Sequence, residues 1–283
     1  MKTRIINTIG LIALIISSSV SYGQDLPMPS PSATTIQKVG LTDVTIVYSR
    51  PGVKDRVIFG DLVKYNEMWR TGANKATAIT FSTDVEIMGN ALKAGTYALF
   101  TIPGENEWEI IFNSNTEQWG TYEHKDEEDV LKVKVKPESA EFRESMLFYI
   151  DDLKNESATI NLHWDKIRVS IPMTTNTSDQ AKINIEAAIA EANGTFRVYN
   201  GSARYYLDNN MDVVQALEWA KKSVSMAKKY WNLTTLSRAE AANGNYKEAI
   251  KLAEEAKQLA VEGKSDGYIK QNEENIATWK GKK

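Results

Sequence analysis

Val130-Leu131-Lys132-Val133-Lys134-Val135-Lys136 alternates apolar and basic side chains. Successive side chains of an extended chain point to opposite faces, so this period of two predicts a strand with Leu131, Val133 and Val135 inward and the lysines in water. Asp43 to Ser49 repeats the pattern, with Val44, Ile46 and Tyr48 on one face. Ala76 to Ser82, Val85 to Met88, Thr96 to Ile102 and Trp108 to Asn113 are further runs rich in β-branched and aromatic residues. Gly89-Asn90, Ala94-Gly95 and Pro103-Gly104 punctuate them as turn signals. Short strands joined by hairpins predict an antiparallel β-sandwich or barrel.

The parity of the last two apolar runs differs. Ile160, Leu162 and Trp164 share one face; Ile167, Val169 and Ile171 share another. One extra residue near Asp165 to Lys166 reconciles them, which predicts a β-bulge or a strand break. Pro172 is expected to end the strand, and the polar run Thr174 to Ser178 reads as a linker at a domain boundary.

Beyond residue 178 the period becomes helical, giving a two-domain α+β chain: a β domain over 33–173 and a helical domain over 179–283. Asp179 to Glu191 and Val213 to Lys229 are rich in Ala, Lys, Glu and Leu, and Asn193-Gly194 reads as a helix stop. From Trp231 the spacing of Leu233, Leu236, Gly244, Tyr246, Ala249, Ala253 and Ala256 resembles a tetratricopeptide repeat, in which small residues let two antiparallel helices approach. A plain α-hairpin bundle is the alternative, because one such unit cannot cover its own apolar face.

The first 23 residues begin with Lys2 and Arg4, continue through an apolar run at Leu11 to Ile16 and end on Ser21 and Gly23, the pattern of a secretory signal peptide. Residues 24–32 carry Pro27, Pro29 and Pro31 and read as an extended linker. The chain has 283 residues and no cysteine, which excludes disulfides, thiolate metal sites and a Cys nucleophile. Its net charge is −3, and 32 basic residues against 37 acidic ones after loss of the leader give −5, no footprint for nucleic acid or anionic lipid. No second apolar stretch has the length of a transmembrane helix. A leader without disulfides points to a Gram-negative envelope, periplasmic or secreted.

Ligand-gripping residues crowd one region. Arg50, Arg56, Trp69, Arg70 and Asn74 cluster around glycine- and proline-rich turns, and Trp119 lies in the turn-like stretch Asn113 to Gly120. Guanidinium forks recognise carboxylate or phosphate bidentately and a Trp face suits a sugar ring or cation, so a small anionic or sugar ligand is one reading. The other is that the arginines tie long loops to backbone carbonyls. Trp119 could equally face a ligand beside Trp69 or plug the end of the sandwich.

In this region Val39-Gly40-Leu41-Thr42-Asp43-Val44, Tyr48-Ser49-Arg50-Pro51, Ile58-Phe59-Gly60, Trp69-Arg70-Thr71-Gly72-Ala73-Asn74, Ala94 to Pro103 and Gln118-Trp119-Gly120 occur in order. From about Pro31 to Ile171 the chain resembles an exported bacterial family known as domain of unknown function 2911. The resemblance implies a β-rich envelope protein and supplies no reaction or catalytic residues. Lys75 departs from it, standing where an acidic residue is expected after Asn74. Some members carry an asparagine-synthetase label, but that chemistry needs a Cys nucleophile and a glycine-rich pyrophosphate loop, and this chain has neither.

Catalytic and metal patterns are sparse. His124, in Glu123 to Asp129, could join carboxylates around a cation, but the run lacks the alternation and glycine of a calcium loop, and a solvated loop is the favoured reading. His163 is expected on the wetter face beside Asp165, where such a pair could serve as general base or be surface neighbours. No catalytic residue, metal ligand or cofactor is therefore assigned. The preferred expectation is a non-catalytic binding or scaffolding protein whose helices dock an envelope protein partner. The rivals are a hydrolase of small anionic or glycan substrates, using Arg50 and Arg70 with His163 or Asp84, and a purely structural protein.

Overall fold

The computed structural model describes residues 26–191 and 195–282; the expected signal peptide and the Asn193-Gly194 helix stop lie outside them. The N-terminal part is a sandwich of two antiparallel sheets. One has the order β1 (Ser32–Val39), β2 (Thr42–Ser49), β3 (Thr77–Phe81), β6 (Gly95–Ile102), β7 (Trp108–Asn113), β8 (Asp129–Val135). The other has the order β5 (Asn90–Leu92), β4 (Val85–Ile87), β10 (Ser157–Thr175), β9 (Pro137–Asp151). Inward residues follow the period-two reading: Val44, Ile46 and Tyr48 are buried on β2, and Val133 and Val135 on β8, whose Lys132 and Lys134 face water.

An aromatic cluster fills the space between the sheets. Trp69 stacks on Trp164 with ring centroids 5.9 Å apart, and Phe59 meets Trp108 edge-on at 5.1 Å. Tyr48 adds a polar tie, its hydroxyl accepting from the Phe148 backbone N–H at 3.1 Å while its ring meets that of Phe148 edge-on. A buried tyrosine holds its place because the hydroxyl finds a partner there.

The parity break near Asp165 is a β-bulge. The β9–β10 register shifts on both sides of Asp165, which takes φ 53°, and Trp164, Val169 and Ile171 all reach the core. Two expectations at the end of this strand are corrected. Pro172 does not end β10, because it lies between the segment paired with β9 (through Val169) and the segment paired with β4 (from Met173), where its missing N–H costs no ladder bond. Nor is 174–178 a free linker: Thr174 and Thr175 finish β10, Thr177 opens a helix, and Asn176 alone lies between. The polar side chains close this junction. Thr175 Oγ1 lies 2.8 Å from Thr177 Oγ1, and the Glu156 carboxylate accepts from the Ser178 N–H at 2.8 Å. Gly40, at φ 58°, sits so close that a Cβ there would meet Thr177 Oγ1 at 1.8 Å.

β9 was not foreseen as a strand. Its first half is exposed or half-buried throughout, so Glu138, Glu141 and Glu144 obscure the apolar alternation; Met146 and Phe148, further along, are buried.

The C-terminal part comprises α1 (Thr177–Glu191), α2 (Phe196–Asp208), α3 (Val213–Met226), α4 (Tyr230–Ala242), α5 (Tyr246–Glu262) and α6 (Asp266–Trp279). From α2 onward consecutive helices pack together, and α4 also touches both α2 and α6, so these three form one layer. The repeat-like residues do what their spacing requires. Ala249, Ala253 and Ala256 are fully buried, Leu233 and Leu236 are buried, and Gly244 at φ 81° makes the turn between α4 and α5. Asp212 caps α3 by accepting from the N–H groups of Val214 and Gln215, each at 3.0 Å. No helix among the described residues is long and apolar enough to cross a membrane.

Candidate functional site

The arginine and tryptophan residues of the β domain are spent largely on its loops. Arg50 Nε donates to the Met146 carbonyl at 2.7 Å, and its backbone N–H bonds Pro31 at 2.9 Å. Arg56 folds onto its own turn, Nη2 reaching Gly52 O at 2.6 Å and Nε reaching Val53 O at 3.0 Å. Asn74, at φ 61°, donates to Ser30 O and Ser49 Oγ, each at 3.2 Å. Trp69 is buried among Phe59, Trp108 and Trp164, and its indole N–H donates to Gly72 O at 3.0 Å. Arg70 is half-buried, its Nε without a hydrogen-bond partner among the described residues. Trp119 is 64% exposed and neither plugs the sandwich nor stacks on Trp69. Lys75 pairs with Glu117 at 2.9 Å. Carbonyl ties, the alternative reading of the arginines, describe Arg50 Nε and Arg56.

The two histidines sit differently from one another. His163 is buried, not on a wet face: its Nδ1 accepts from Arg143 Nε at 3.3 Å and its Nε2 bonds Glu141 O at 2.8 Å, so both nitrogens are occupied. Arg143 and Glu141 of β9 lie against its ring. Asp84 clamps a hairpin, accepting from Lys93 at 2.7 Å and from the Ala94 N–H at 2.9 Å, and these bonds hold its carboxyl below the usual range. His124 meets the buried Asp129 at 2.8 Å and faces Asp126 at 3.7 Å, so three groups able to hold a metal ion do come together. Asp129 is already engaged by Asn113 at 2.8 Å and Lys132 at 2.9 Å. Burial alone would raise its pKa, but bonds from Asn113, Lys132 and His124 outweigh this and lower it. Asp129 Oδ1 is thus shared by His124 and Asn113 with Lys132 beside Oδ2, and the His124 ring lies edge-on to Phe100.

The helical layer carries a different constellation. Residues one turn apart on α2, α4 and α6 line a groove of about 420 Å³: Arg204 and Asp208 from α2, Trp231, Thr235 and Arg238 from α4, Tyr268 and Gln271 from α6. A second recess of about 420 Å³, sharing Arg238 and bounded by Asn275 and Trp279, continues it. Arg238 pairs with Asp208 at 2.5 Å, while Arg204 is exposed and pairs with no carboxylate among the described residues. Trp231 is braced by Phe196, centroids 5.5 Å apart. Below the surface Asn272 donates to Thr234 Oγ1 at 2.8 Å, and its own Oδ1 is buried without a partner. Sequence reading missed this groove because its polar residues are spread over three helices. The visible signal was the spacing of Trp231, Thr235 and Arg238 along α4.

Neither a curated protein nor a solved structure matches the chain. A family described as "Protein of unknown function (DUF2911)" matches residues 30–173, half of the chain, covering both sheets and ending short of the helices. The order of turn motifs and the sandwich they build have a common explanation: the chain belongs to that family.

Proposed function

We propose that this is a non-catalytic binding protein of the bacterial envelope, in which the sandwich is a rigid base and the helices receive an extended segment of a partner protein. The observation that carries this reading is the groove across α2, α4 and α6, with its aromatic, hydroxyl and guanidinium lining. Polar groups facing a concave helical surface can bond the backbone of an extended peptide, and the exposed, unpaired Arg204 favours an acidic side chain in it. The leader-like N-terminus and the lack of cysteine support an envelope location. The hydrolase alternative is weakened because His163 and Asp84, its proton carriers, are bound within the fold.

The test is selection from a random peptide display library on the mature chain. Enriched sequences should carry acidic residues and lose binding to Thr235→Arg and Trp231→Ala while retaining it with Trp119→Ala. Failure to enrich any sequence, or binding indifferent to the groove variants, would reject the reading.

A further inference from the structure

A cleft of about 1320 Å³ opens between the sandwich and the first two helices, larger than the helical groove and separate from the family's arginine-rich turns. Leu41 on the β1–β2 turn, Lys154 to Glu156 on the β9–β10 turn and Ser157 at the start of β10 form one wall; Asn184 of α1, Tyr205 of α2 and Asn209, which caps α2, form the other.

The charges that line this space are mostly committed. Glu156 accepts from both the N–H and the hydroxyl of Ser178, and Asp208 is held by Arg238. Lys154 is left as the one cation of the lining, with no ion pair among the described residues. What remains is a set of amides. Asn155 Nδ2 lies 3.5 Å from Asn209 Oδ1, so these side chains meet from opposite walls, and Asn209 Nδ2 donates to Tyr205 O at 2.9 Å; Asn184 accepts from Gln180 at 3.1 Å, and its N–H₂ has no partner among the described residues. Beside them Tyr205, Leu41 and Ile185 supply apolar faces.

From this balance we infer that the cleft is a binding site for a neutral oligosaccharide. Side-chain amides donate and accept at once, as vicinal hydroxyls do, and a tyrosine ring packs against the C–H face of a pyranose. A phosphate or polyanion would meet two carboxylates and one lysine. A cation would find the carboxylates already bonded, and a wholly apolar ligand would strand the amides. Sites at domain interfaces commonly combine an apolar floor with a few polar groups in this way. The inference does not depend on peptide capture by the groove.

Gly201 lets this be tested without disturbing the walls. It lies on α2 in the cleft lining, and a Cβ added there meets nothing within 4 Å. Gly201→Leu should therefore project into the cleft beside Tyr205 and keep the fold, since leucine is the better helix former. The full mature chain is titrated calorimetrically with cellotetraose, maltotetraose and the tetramer of N-acetylglucosamine. At least one should bind saturably, weaken by about tenfold or more in Gly201→Leu and in Asn209→Ala, and be unaffected by the groove variant Thr235→Arg. Absence of binding by all three, or affinity unchanged in Gly201→Leu with the thermal midpoint retained, would overturn the assignment. So would an acidic peptide that alone is lost in Gly201→Leu, which would make the cleft a peptide site.

Discussion

Asp208 on α2 and Arg238 on α4 meet at 2.5 Å, and Asp208 lines both the interdomain cleft and the helical groove. The pair is half-exposed on its acidic side, so it contributes no more than about 1 kcal/mol to stability. Its larger effect is to neutralise a guanidinium in the groove. Asp208→Asn should leave the urea midpoint nearly unchanged and raise affinity for acidic peptides, with steeper salt dependence. An affinity that falls would show that Asp208 itself contacts the peptide.

Trp69 should behave as core. Trp69→Ala removes the ring that stacks on Trp164 and orphans the Gly72 carbonyl, and is expected to cost about 3–5 kcal/mol in urea unfolding. A variant with an unaltered midpoint would mean that the ring is dispensable and available for a ligand.

Asp129 gives the β domain an acid-sensitive increment. Its carboxyl is held below the ordinary value of about 3.9, so its contribution is complete above that pH and lost as pH falls through the lower folded value. Asp129→Asn should destabilise by about 1–3 kcal/mol at neutral pH and by less in acid, where the wild-type carboxyl is protonated. Parallel stability–pH curves for the two proteins would contradict this.

Two glycines separate backbone strain from crowding. Gly244→Ala places a Cβ in open space at φ 81° and should cost about 1–2 kcal/mol. Gly40→Ala, at φ 58°, also drives its Cβ against Thr177 Oγ1 and the Asn155 carbonyl, and should cost distinctly more. It should also speed limited proteolysis between residues 174 and 178. Equal losses in the two variants would show that the junction yields freely.

The sandwich was legible because β2, β3, β6, β7 and β8 keep inward positions apolar, and the bulge because Trp164 and Ile167 fall on opposite parities. β9 was illegible because glutamates in its exposed first half leave no period. The 174–178 junction misled because threonine serves both strands and caps, and composition cannot say which. At the candidate sites, arginines beside glycine turns look the same whether they grip a ligand or their own carbonyls. The bond from Arg50 Nε to Met146 O joins residues 96 positions apart, which no local pattern records. The groove depends on contacts between helices, which no single helix records.

β10 runs for 19 residues along the second sheet and passes into α1 across one residue. A pull on the helices by whatever they hold therefore loads this strand along its own axis. Its cross-strand bonds to β9 and β4 lie perpendicular to that load and must fail together rather than one after another. A load applied to the helices along β10 would thus meet the sandwich in shear rather than by unzipping.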